Sequence, residues 1–80
     1  MSINISPDHL HFVVVAIESA AKKMGISPSE MHNRLKEQGL IENFLIKHYE
    51  VFHTMSLDHV AEDTIDALLT WESNAKNKGM

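Results

Sequence analysis

The spacing of apolar residues predicts that the chain is helical almost throughout. In the first segment these residues recur every three or four positions, at Leu10, Val13, Val14, Ile17, Ala20, Ala21 and Met24, which is the spacing of one helix face. Ser6 and Pro7 favour a helix start, and Gly25 favours a helix end. Residues 12–17 also have high β propensity, so a strand is the alternative there, but the flanking signals favour the helix.

Three further helical segments follow in the pattern. The second begins with the capping box Ser27-Pro28-Ser29-Glu30 and ends near Gly39. The third is either one helix or two short helices that meet near Lys47, with apolar or aromatic positions at Ile41, Phe44, Leu45, His48, Tyr49, Phe52 and Met55. The fourth begins at Ser56 and has a continuous apolar face at Leu57, Val60, Ala61, Thr64, Ile65, Leu68 and Leu69.

These segments predict an all-α fold, a compact bundle of about four helices in a single domain of residues 1–80. The helical core is expected over about residues 7–72, and residues 74–80 are expected to fray. The Ala20–Ser27 region, with a glycine between two helices, predicts a helix-turn-helix-like junction between the first and second helices. Composition agrees, because the chain has 80 residues, of which 44% are hydrophobic and none is cysteine.

The same composition narrows the function. The absence of cysteine excludes disulfides and thiolate chemistry, and no apolar run is long enough for a membrane span. The N-terminus lacks the basic region of a signal peptide, so we expect a cytoplasmic protein. A chain this short has little room for an enclosed substrate cavity, and its serines stand at helix starts. We therefore expect no catalysis, no cofactor and no small-molecule substrate.

Six histidines raise the hypothesis of a metal site. Ligands on one helix face lie three or four residues apart, and no two of the histidines have that spacing. One Glu-x-x-His motif, Glu50 with His53, follows the pattern of di-iron helical bundles. Two copies of the chain would be needed to complete such a site, with Glu18 as an added ligand, so a dimeric His/Glu metal site is a minor alternative.

DNA binding by the second helix is the sharper alternative. Its exposed positions would offer hydrogen-bond donors and positive charge to bases or phosphates, through Ser29, His32, Asn33, Arg34 and Lys36. Glu30 and Glu37 cancel the two positive charges of this helix, and the chain has a net charge of −4. Since phosphate contacts dominate affinity for nucleic acid, nucleic-acid binding is not favoured.

A protein partner, or a second copy of the chain, is the interaction that the pattern favours. Phe12 and Val15 lie off the main apolar stripe of the first helix, and Trp71 lies at the edge of the fourth-helix stripe. The fourth helix also carries Glu62, Asp63 and Asp66 without a lysine or arginine among them, which favours a basic partner. In a dimer, these acids would be kept apart or paired with Lys22 and Lys23.

Several stretches together resemble one bacterial family of unknown function, DUF3791. They are residues 12–18, residues 21–27, Leu35 with residues 39–41, and Tyr49-Glu50-Val51-Phe52-His53-Thr54 followed by Val60 and Asp63. The resemblance covers about residues 10–70, and members usually have leucine at the position of Phe52. It implies a helical domain without an assigned activity, and an accessory or antitoxin-like role beside a toxin-like protein.

The residues Tyr49, Glu50, His53 and Thr54 form the most specific part of the resemblance. Tyr49 and His53 are four residues apart and share a helix face. His53 and Thr54 suit hydrogen bonding to backbone carbonyls at the end of the third helical segment. The alternative is that His53 and Thr54 contact a ligand.

Overall fold

The computed structural model describes the backbone of residues 7–78 and the side chains of residues 7–75. Four α-helices and one π-helix follow one another: α1 (Pro7–Met24), α2 (Pro28–Glu37), the π-helix (Ile41–Ile46), α3 (Tyr49–Phe52) and α4 (Leu57–Lys78). No strand occurs between residues 7 and 78. The all-α bundle is therefore confirmed, and residues 12–17 are helical. Ser6, the expected N-cap of α1, lies outside the described residues.

The junction between α1 and α2 follows from glycine and serine chemistry. Gly25 has a φ of +72°, which glycine adopts without strain. Its N–H donates to the carbonyl of Lys22 at 3.2 Å, and the N–H of Ile26 donates to the carbonyl of Ala21 at 3.1 Å, as in a Schellman motif. The Ser27 hydroxyl then accepts from the Glu30 N–H at 3.1 Å and starts α2. The result is the short turn of the predicted junction.

Helix α1 is the centre of the bundle and contacts α2, the π-helix and α4. Its buried face consists of Phe12, Val13, Ala16, Ile17, Ala20 and Ala21. The prediction that Phe12 lies off the core-facing stripe is wrong, because Phe12 is only 9% exposed, whereas Leu10 and Val14 are 58% and 47% exposed. The rings of Tyr49 and Phe52 pack over the ring of Phe12, with centroid distances of 5.4 Å and 6.3 Å. Phe12 therefore belongs to the buried face of α1.

Helix α4 supplies the other long wall of the core. It buries Val60, Ala61, Thr64 and Leu68, and the Thr64 hydroxyl donates to the carbonyl of Val60 at 2.7 Å, so this polar group is satisfied inside the core. Ser56 caps the helix as predicted, because its hydroxyl accepts from the His59 N–H at 3.2 Å. The helix continues to Lys78, beyond the expected end near residue 72, since no glycine or proline lies between Leu57 and Lys78.

Ion pairs connect the start of α4 to the end of α1. Lys23 at the end of α1 lies 3.2 Å from Asp58 and 3.8 Å from Glu62. Lys23 is thus paired within the chain, whereas in a dimer we expected the acids of α4 either to be kept apart or to pair with Lys22 and Lys23. The described helices include none that is both long and apolar enough to cross a membrane.

Candidate functional site

The segment between α2 and α4 departs from regular α-helix, and this departure shapes the surface beside it. The N–H of Lys47 donates to the carbonyl of Glu42 at 3.2 Å, five residues earlier, which is the π-helical pattern. The N–H of Phe52 donates to the carbonyl of His48 at 2.9 Å, in the ordinary α pattern. The third segment is therefore two short helices that meet at residues 47–48, as one of the two predicted alternatives had it.

Three rings of this segment pack against one another. The centroids of Phe44 and His48 are 5.7 Å apart, those of Phe44 and Phe52 are 5.1 Å apart, and those of His48 and Phe52 are 5.8 Å apart. Phe52 is 7% exposed and lies at the bottom of the cluster. Phe44 is half-buried and His48 is exposed, so ring surface of both is open to solvent.

An open groove of about 370 Å³ lies between this cluster and α4. We call it the acidic groove, and its lining residues are Phe44, His48, Val51, Phe52, Asp63 and Asp66. Val51 is 59% exposed at its edge, so apolar surface of the groove is open to solvent there. The groove therefore has an apolar, mostly aromatic floor and two carboxylates on the α4 side.

The acids of α4 have different surroundings. Glu62 lies 3.8 Å from the Lys23 ammonium, outside the acidic groove. Asp63 lies 3.8 Å from the imidazole of His59, which carries charge only when protonated. Among the ion pairs of residues 7–75, none includes Asp66. Negative charge is thus least compensated beside the aromatic floor.

A second cleft lies on the other side of Phe52 and is lined by two residues of the Tyr-Glu-x-x-His-Thr motif, Tyr49 and His53. The ring of Tyr49 lies between two imidazoles, with centroids 3.9 Å from His9 and 5.0 Å from His53. We call this space, of about 330 Å³, the motif cleft, and it is lined by Asp8, His11, Phe12, Val15, Tyr49, Phe52, His53, Met55 and Leu57. Its side chains connect the start of α1 to α3, so the cleft has an evident structural role.

The remaining motif residues have separate surroundings. The Thr54 hydroxyl donates to the carbonyl of Val51 at 2.7 Å, which is the predicted bond at the end of α3. Glu50 is exposed to solvent. The described side chains contain no group of three or more His, Asp or Glu residues placed to hold a metal ion.

The structure brings some of the predicted interaction residues together and separates others. Asp63 and Asp66 lie in the acidic groove, while Val15 is half-buried in the motif cleft and Phe12 belongs to the core. Trp71 is 52% exposed and lines neither space. Sequence reasoning missed Phe44, His48 and Val51 as groove residues, although rings at positions 44, 48 and 52 recur every four residues, which places them on one helix face.

In α2, the helix predicted as the alternative DNA-binding element, the arginine forms an ion pair within the chain. Arg34 of α2 donates from Nε to Oε2 of Glu72 at 2.9 Å and from Nη2 to Oε1 at 2.6 Å. This bond with Glu72 raises the pKa of Arg34, although desolvation acts in the opposite direction. Both side chains are about three-quarters buried. The pair joins residues 38 positions apart, so no local pattern in the sequence shows it.

One family model matches most of the chain. It is the model of DUF3791, a protein family of unknown function, and the match covers residues 11–71. The chain belongs to the DUF3791 family. The DUF3791 match includes the whole acidic groove and Tyr49–Thr54 of the motif, whereas His9 and Glu72 lie outside it. No curated protein and no solved structure matches the chain.

Proposed function

We propose that this protein is a non-catalytic protein-interaction module, which binds a basic and partly apolar segment of another protein in the acidic groove. The observation that carries the proposal is that the carboxylates of Asp63 and Asp66 line the same groove as an exposed aromatic and aliphatic floor. Apolar surface that is open to water, with charged groups at its edge, is typical of binding surfaces. The opposite charge of the partner would speed its encounter with the groove.

Three hydroxyl groups at helix ends support the non-catalytic part of this proposal. Ser27 and Ser56 accept hydrogen bonds from backbone N–H groups at the starts of α2 and α4. Thr54 donates to the carbonyl of Val51. A serine or threonine nucleophile needs a positioned base beside it, and these three hydroxyls have capping partners instead.

The family resemblance adds a biological role to this proposal. An accessory or antitoxin-like domain in the cytoplasm would hold a toxin-like protein by one of its basic segments, and it would need no cofactor. A second copy of the chain is a competing occupant of the groove. DNA binding through α2 is less well supported, because the ion pair with Glu72 occupies the Arg34 guanidinium.

A peptide-display selection on the full chain tests the proposal. Peptides selected from a random library should be enriched in lysine or arginine next to apolar residues. Their dissociation constants should rise at least about tenfold in the Asp66→Lys variant, because the reversal removes attraction and adds repulsion. Glu37→Lys is the matched control, since it makes the same charge change at an exposed site on α2, outside the groove.

Three results would contradict the proposal. The first is a selection without enrichment of any peptide, and the second is binding that Asp66→Lys leaves unchanged. The third comes from size-exclusion chromatography with light scattering. A dimer at micromolar concentration that Asp66→Lys or Val51→Ser dissociates would show that a second copy fills the groove, not a basic segment of another protein.

A further inference from the structure

We infer that the acidic groove binds the guanidinium group of an arginine side chain, an inference that rests on the proposed function and names its anchoring residue. The structural basis is the position of three packed rings opposite two carboxylates. The rings of Phe44, His48 and Phe52 belong to the segment between α2 and α4, and Asp63 and Asp66 belong to α4. A flat organic cation is the chemical group that gains from both.

The rings supply the first half of the site. A cation within about 6 Å of a ring centroid is attracted by the negative face of the ring. The ring planes are inclined by 57–73° to one another, so a cation over the face of Phe44 would have the other two rings beside it and would be attracted mainly by that one face. Phe52 closes the bottom, while Phe44 and His48 offer the reachable ring surface.

The carboxylates supply the second half. Asp63 and Asp66 are three residues apart on α4 and therefore share a face of that helix. Among the ion pairs of residues 7–75, Lys23 lies beside Asp58 and Glu62, Arg34 lies beside Glu72, and the imidazole of His59 lies beside Asp63. Asp66 is in none of these pairs, so its charge is the one that a cation from outside the chain would meet.

Arginine fits this combination better than lysine. The guanidinium is planar and weakly hydrated, so it can stack on a ring and still direct its N–H groups to two carboxylates. The lysine ammonium is strongly hydrated and has no flat face to place on Phe44. A small metal ion would gain little from the rings, and an anion would be repelled by both aspartates.

The test is a titration of the ¹⁵N-labelled full chain with small probes, followed by NMR. The probes are Nα-acetyl-arginine N-methylamide, the corresponding lysine compound, and the citrulline compound, which has nearly the shape of arginine without its charge. The arginine probe should shift the amide signals of the groove-lining residues, with a dissociation constant of about 1–10 mM, as expected for one side chain. The lysine probe should bind more weakly, and the citrulline probe should shift these signals at least about threefold less at equal concentration.

Substitutions measure the contribution of the rings and that of the carboxylates separately. Phe44→Leu keeps an apolar side chain but removes a ring, and Asp66→Asn removes a charge at an exposed position; each should weaken arginine binding at least about threefold. Glu37→Gln is the control and should leave it unchanged. If Phe44→Leu fails to give a folded spectrum, the Asp63→Asn/Asp66→Asn double variant tests the charge requirement alone.

Equal shifts from arginine and citrulline, shifts located elsewhere on the chain, or no shifts would overturn the inference. Its failure can be told from failure of the proposed function. Selected peptides that bind in the groove without any arginine would leave the function standing and overturn the arginine anchor. An arginine probe that binds in the groove, together with a library that yields no peptide, would support the arginine inference and contradict the proposed function.

Discussion

Two regions of the molecule bury apolar side chains in different ways. One is the contact between α1 and α4, and the other is the segment of residues 40–55. The first is the most extensive contact between elements of the described chain. Both helices bury alanines with no exposed surface, Ala16 and Ala20 on α1 and Ala61 on α4, and small side chains let packed helices approach closely. We call residues 40–55 the bridge segment. Its interior is packed with aromatic rings, and its backbone forms a π-helix followed by α3 instead of one continuous helix. The regular contact sets the fold, and the irregular one leaves apolar surface open at the acidic groove.

The largest expected effect lies in the regular contact. Leu68 is completely buried on α4, so Leu68→Ala should lower the free energy of unfolding by about 2–4 kcal/mol. Urea unfolding followed by circular dichroism would measure this change. Leu69→Ala is the matched control, because the neighbouring leucine is 47% exposed and its truncation should cost much less. Equal losses in the two variants would show that the buried face of α4 is assigned incorrectly.

The next effect concerns the pair that joins α2 to α4. Glu72→Gln keeps the shape of the side chain but removes its charge from a bidentate, mostly buried contact with Arg34. We expect a coupling energy between Arg34 and Glu72 of about 1–2 kcal/mol in a double-mutant cycle. The cycle for Lys23 and Asp58 is the comparison, and it should give less than about 0.5 kcal/mol, because Asp58 is 83% exposed. A larger coupling for the exposed pair would refute this order.

A smaller effect is expected at the junction that the sequence predicts best. Ser27→Ala removes the acceptor for the Glu30 N–H and should cost about 1 kcal/mol. Ser29→Ala, two residues later, should change the free energy of unfolding by less than half of that amount. Chemical denaturation of both variants measures the difference. No difference between them would mean that Pro28, and not the serine cap, fixes the start of α2.

The smallest effect on stability belongs to the bridge segment. Val51 is 59% exposed, so Val51→Ser should change the free energy of unfolding by no more than about 0.5 kcal/mol. The same change should weaken the binding of selected peptides severalfold, because it removes apolar surface from the edge of the acidic groove. A strong loss of stability would contradict the comparison, since it would make this surface part of the core.

The sequence predicts the regular part of the molecule well because local chemistry determines it. Gly25, Ser27 and Ser56 end or begin helices as their residue types favour. The apolar stripe of α4 likewise identifies Val60 and Leu68 as core residues, although two leucines of the predicted stripe are 45% and 47% exposed. These signals act over four or five residues, so they can be detected without knowledge of the tertiary contacts.

The candidate site is less predictable because it depends on contacts between distant segments. On α1 every position from 12 to 17 is apolar, so the pattern alone does not identify the buried face. The rings of Tyr49 and Phe52 determine that face by covering Phe12. Asp63 and Asp66 were identifiable as acids, but their aromatic neighbours across the groove come from the bridge segment.

The π-helix has a consequence for the evolution of insertions and deletions in this family. A π-helical turn holds about one residue more than an α-helical turn, and the exposed Glu42 and Asn43 lie within it. Deletion of either residue would let this turn close with ordinary i to i+4 bonds, so the chain that follows would keep nearly its present orientation. Tyr49 and Phe52 would then keep their places against α1. This stretch should therefore tolerate the loss of one residue better than a regular helix such as α4, where a deletion turns the side chains that follow by about 100°.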